Sequence, residues 1–95
     1  MTTSQSTAAD EARFQMERIR ILARIDKSTT PETVAEVRNE LLKTRALALN
    51  MYSRYSKAND LLASRAWYYL ALEADRLIAA VRKLDRDTTD EGDSK

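Results

Sequence analysis

The chain contains no cysteine and no histidine. Without cysteine there is no disulfide, no thiolate nucleophile and no zinc–thiolate site. Without histidine, the usual general base near neutral pH and the commonest transition-metal ligand are missing as well. The one glycine, Gly92, cannot build a phosphate-cradling loop, and no EF-hand, zinc or hydroxyl–base–acid pattern can be drawn. No run of about 18 apolar residues occurs, so no membrane-crossing helix is expected. The amino end is rich in Thr and Ser and lacks the apolar centre of a signal peptide, which makes a cytoplasmic protein the default expectation. These gaps argue against an enzyme and leave no cofactor and no metal site to assign.

What is present is helical in character. Of 95 residues, 43% are apolar and 33% are charged, with one proline, the profile of a single all-α domain. The net charge of +1 is unevenly spread. Residues 12–86 carry 15 basic and 9 acidic side chains, while the two ends are acidic. A basic body favours anionic partners without specifying a fold.

The organising stretch runs from Pro31 to about Arg86 and reads as two long helices folded back through Lys57-Ala58-Asn59-Asp60. Thr30-Pro31-Glu32 supplies an N-cap hydroxyl, a proline at the first helical position and an acid in the first turn. Val34, Val37, Leu41, Ala48, Met51, Tyr52 and Tyr55 then fall on one arc of the second helix, 31–57. Glu36, Glu40, Lys43, Asn50, Arg54 and Lys57 fall opposite, on a solvated face. Asn59 or Asp60 caps the third helix, 60–86, in which Ala63, Leu70, Leu77 and Leu84 recur every seven residues. In an antiparallel pair, facing residues have numbers summing to a constant. A turn centred on Asn59 makes that sum about 118 and sets Leu41 opposite Leu77, Ala48 opposite Leu70 and Met51 opposite Trp67. The same register pairs Arg45 with Glu73 at the margin of the seam, as a register-setting ion pair or as a carboxylate awaiting a partner's cation.

Residues 1–6 and 87–95 are polar and read as flexible. Thr7, with Asp10 three residues on, caps a first helix over 8–27. Phe14, Ile21, Leu22 and Ile25 form its main apolar stripe, and Ala12, Met16, Ile19 and Ala23 a second one. Arg13, Arg20, Arg24 and Lys27 share one side of it. On the second helix, Ala35, Leu42, Ala46 and Leu49 make a further stripe, and with Ala71 and Ile78 they offer a groove for the first helix.

That arrangement leaves Leu61, Tyr68, Leu72 and Ala79 exposed on the far side of the third helix. Aromatic residues crowd the turn-proximal half of the hairpin. Trp67, Tyr55 and Tyr52 are expected in the core and Tyr68 on a contact surface. Tyr55, Asn59-Asp60, Tyr68 and Ala71 match the spacing of a tetratricopeptide hairpin. The helices are about twice too long and no second repeat follows, so the chain is not assigned to that family.

Three functions fit this reading. The first is a non-enzymatic interaction protein, an adaptor or a stoichiometric inhibitor, that docks on a protein partner through Leu61, Tyr68 and Leu72. The second is a nucleic-acid-associated regulator that uses Arg13, Arg20, Arg24 and Lys27. The third is a structural homo-oligomer.

Overall fold

A hydroxyl, a proline and an acid in succession leave a helix little choice about where to begin, and α2 (Pro31–Lys57) begins there. Thr30 lies in extended backbone and its Oγ1 accepts the Thr33 N–H at 3.3 Å. Two further helices, α1 (Thr3–Leu22) and α3 (Leu61–Asp93), complete the architecture. The structure is a computed structural model, which describes the backbone of residues 3–93 and the side chains of residues 7–84. All regular structure among the described residues is helical, and α2 and α3 form the long antiparallel hairpin.

Chain reversal is built from two residues. Asn59 takes φ 59°, the left-handed conformation that a helix C-terminus needs and asparagine tolerates. The Asn59 N–H then reaches the Ser56 carbonyl, and the Asp60 N–H reaches the Tyr55 carbonyl at 2.9 Å, which satisfies the last orphan acceptors of α2. Asp60 also starts α3, since its Oδ1 accepts the Ala63 N–H at 3.2 Å and its carbonyl the Ser64 N–H. One aspartate therefore ends one helix and caps the next, and the reversal is centred on Asp60 rather than Asn59.

This moves the register by two. Ser56 and Ser64 share a hydrogen bond at 2.7 Å, the tilted rings of Tyr52 and Tyr68 meet with centroids 5.2 Å apart, and Arg45 binds Asp75. Each of these pairs sums to 120. The expected Arg45–Glu73 pair does not form, because two residues along α3 is more than half a turn away and places Glu73 on the opposite flank. The core itself is as expected. Val34, Val37, Leu41, Ala48, Trp67, Leu70, Ala74, Leu77 and Val81 are buried, together with Thr44 and Ser64. Tyr52, expected inside, is exposed beside Tyr68, while Tyr55 packs partly buried against the core.

The first helix differs most from expectation. It starts at Thr3, so Thr7 lies within it rather than capping it, and it ends at Leu22 rather than Lys27. The early end has a local cause. Asp26 accepts hydrogen bonds from the Ser28 N–H and hydroxyl, and the Thr29 hydroxyl accepts the Asp26 N–H. Such side chains outcompete the helix for backbone partners. The link they form turns Ile25 back onto the core. At the other end α3 runs past Arg86 to Asp93, since no proline interrupts it and the one glycine is reached only at Gly92. The expectation of flexible ends at 1–6 and 87–95 concerns residues whose side chains lie outside the described set.

Of the two stripes expected on α1, the structure buries the second. Ala9, Ala12 and Ile19 are buried, with Met16 and Ala23 packed on the core. Their spacing is that of a heptad seam, and the alanines let the backbones approach closely. Phe14 and Ile21 point the other way, with Phe14 64% exposed. Nor does α1 enter the groove offered by Ala35, Leu42, Ala46 and Leu49. Leu42, Ala46 and Leu49 stay exposed and Ala35 half-buried, while Ala71 and Ile78 are buried. Helix α1 takes the other flank of the hairpin, where Arg18 finds Glu40 and the Thr44 hydroxyl. A partly buried guanidinium needs such acceptors.

Candidate functional site

Helix α1 lies chiefly against α3 and only lightly against α2. The two run side by side at a constant offset. Arg20 meets Glu73, 53 residues on, and the same offset sets Ala9 beside Leu62, Arg13 beside Ala66 and Met16 beside Tyr69. These residues line the mouth of an open groove of about 720 Å³ between the helices. From Leu62 to Arg76 the α3 wall is roughly 20 Å long at helical rise.

The floor and the rim differ in chemistry. Ala9, Met16, Leu62, Ala66 and Tyr69 make the groove's apolar lining, and Leu72 stands at the outer edge beyond Arg65. Arg13 and Arg20 stand along the α1 edge, and Arg65 and Arg76 along the α3 edge. The single acid among the lining residues is Glu73, whose side chain is only 11% exposed. Arg76 grips it with two hydrogen bonds, Nε to Oε1 at 3.0 Å and a terminal nitrogen to Oε2 at 2.7 Å. Arg20 Nε adds a third at 2.8 Å. The Arg76 hydrogen bonds are the main reason that Glu73 is held down at a pKa of about 2; burial opposes them, and Arg20 adds to the lowering. Glu73 is therefore an anion already claimed by two guanidiniums, not a carboxylate waiting for a partner's cation.

The sequence-derived candidates separate in space. Leu61, Tyr68 and Leu72 are all exposed on the outer side of α3, with Tyr68 41% exposed and its ring against Tyr52 and Tyr69. Leu72 also lines the groove, whereas Leu61 and Tyr68 stand outside it. Of the basic set, Arg13 and Arg20 reach the groove rim. Arg24 and Lys27 fall beyond the end of α1 and do not extend their row. Arg13 pairs with Asp10, and Arg20 with Glu17 as well as Glu73.

Sequence reading missed Leu62, Arg65, Ala66, Tyr69 and Arg76. The signal was present, since 62, 66, 69, 73 and 76 repeat at seam spacing. It was hidden because charged Glu73 and Arg76 interrupt the apolar count. Among the described residues no cluster of three or more His, Cys, Asp or Glu could hold a metal ion, and no helix is long and apolar enough to cross a membrane. Comparison with protein-family models, curated proteins and solved structures finds no significant match to this chain.

Proposed function

We infer that the protein is a non-enzymatic interaction module that docks on a protein partner through the outer face of α3. One observation carries this reading. Leu61, Leu62, Tyr68, Tyr69 and Leu72 are all exposed on one helix whose inner face already holds the core. Scattered apolar residues on a surface need no explanation, but five on one face of one helix, two of them tyrosines, have the composition of an interface centre. The partner meets rigid ground, since this part of α3 is anchored by Trp67, Leu70 and Ala74 directly beneath.

The experiment is capture of partners by the full chain, with and without nuclease, compared between wild type, Tyr68→Ala and Leu72→Ala. Both variants are expected to keep their helical content and to lose the partner. If neither loses partner capture or self-association, the outer face has no such role. The nucleic-acid reading through Arg13, Arg20, Arg24 and Lys27 has weaker support. Two of the four, Arg24 and Lys27, lie beyond the end of α1.

A further inference from the structure

We propose that the α1–α3 groove is the seat for an acidic amphipathic helix of a partner protein, packed along both helices as the fourth member of the bundle. The proposal rests on the interaction-module reading and names the chemistry of what binds. Three observations carry it. The groove is elongated and runs parallel to two helices, so it matches a helix laid lengthwise. Its apolar lining of Met16, Leu62, Ala66 and Tyr69 fits the apolar stripe of such a helix. Its rim places Arg13 and Arg20 on one edge and Arg65 and Arg76 on the other. Charges that flank an apolar seam on both sides select the partner by the opposite charge in the flanking positions.

The rim also excludes other occupants. A second copy of this chain seated groove to groove would oppose arginine to arginine. A single-headed lipid or fatty acid needs its cations gathered at one end, and here Arg65 and Arg76 stand 11 residues apart, roughly 16 Å along α3. A nucleic acid would set phosphates over Leu62, Leu72 and Met16, which offer them nothing. Glu73 offsets part of the rim charge at Arg20 and Arg76 and leaves Arg13 and Arg65 to select the partner. It lies low in the groove and orients Arg20 and Arg76 by accepting from both. Arg65 has no carboxylate partner among the described residues, and Arg13 has only a loose, solvent-exposed pairing with Asp10 at 3.6 Å.

The test uses the full chain and two labelled synthetic helices of about 18 residues, which span the groove. Both carry leucine at the seam positions. One carries glutamate in the flanking positions and the other lysine. Affinity is read by fluorescence anisotropy, and the site by amide shifts in nuclear magnetic resonance. The acidic helix is expected to bind at least about tenfold tighter than the basic one, with shifts confined to 9–20 and 62–76. Arg13→Glu combined with Arg65→Glu should reverse that preference, with unchanged circular dichroism; neither residue holds Glu73. Equal affinity for the two helices, no saturable binding of the acidic one, shifts outside the groove, or an unchanged preference in the double variant would each overturn the proposal. So would displacement of the acidic helix by generic duplex DNA bound at the same residues. The two readings fail separately. Partner loss in Tyr68→Ala without groove binding leaves the module and removes the groove. Groove binding without any partner dependent on Tyr68 keeps the interaction module and moves its docking surface from the outer face of α3 to the groove.

Discussion

Arg20 and Glu73 join α1 to α3 across 53 residues of sequence, with Nε 2.8 Å from Oε2. The pair sits beside Ile19, a large α1 side chain that is fully buried, and together they fix how far α1 slides along α3. Glu73 is held at a pKa of about 2 against an ordinary 4.5. A depressed carboxylate adds stability above its unfolded pKa, and that stability is lost as pH falls through the folded one. The window is therefore about pH 4.5 down to 2. Thermal unfolding of the wild type should weaken more steeply across that window than unfolding of Glu73→Gln, which removes the titrating group. At neutral pH the same variant is expected to cost about 1 kcal/mol after screening by solvent. Parallel pH profiles for the two proteins would show that the pair does not support the fold.

The hairpin turn makes a second set of expectations. Asn59 sits at φ 59°, where glycine is at ease and a β-branched residue is not. Asn59→Gly should be neutral within about 0.5 kcal/mol, and Asn59→Val should cost about 1–2 kcal/mol. Asp60→Ala removes the α3 cap at Ala63 and should cost about 1 kcal/mol. Urea unfolding followed by circular dichroism measures all three. A harmless Asn59→Val would contradict the left-handed turn.

The two faces of α1 offer the sharpest contrast. Ile19 is 0% exposed, and Phe14 points to solvent. Ile19→Ala should cost about 2–4 kcal/mol, and Phe14→Ala less than about 0.5 kcal/mol, although phenylalanine is the larger residue. If the two costs are exchanged, α1 is rotated by half a turn from the arrangement described. The exposed Phe14–Ile21 pair and the bare Leu42–Leu49 flank also make self-association measurable. Sedimentation across a concentration series is expected to show a monomer both in the wild type and in Phe14→Ala; a mass that rises with concentration in the wild type and not in the variant would make that face a dimer seam.

Local chemistry settled where the hairpin starts and placed its turn to within a residue. Thr30 and Asp60 act through bonds to residues three or four positions away, so their effect can be read without knowing what lies across the core. The seven-residue recurrence of Ala63, Leu70 and Leu77 likewise named the buried face of α3 in advance. The sequence also excluded thiol, imidazole and glycine-loop chemistry outright, because the atoms are absent.

Tertiary structure decided the rest. Whether α1 buries Phe14 or Ala12 is not a question of hydrophobicity, since close approach of two backbones favours the smaller side chain. Whether Glu73 answers Arg45 or Arg20 turned on a register shift of two residues, which rotates a helical side chain past half a turn. Nor does a count of apolar residues place Arg13 and Arg65 on opposite edges of one groove. They lie 52 positions apart in the chain, and only the packing of α1 along α3 brings them together.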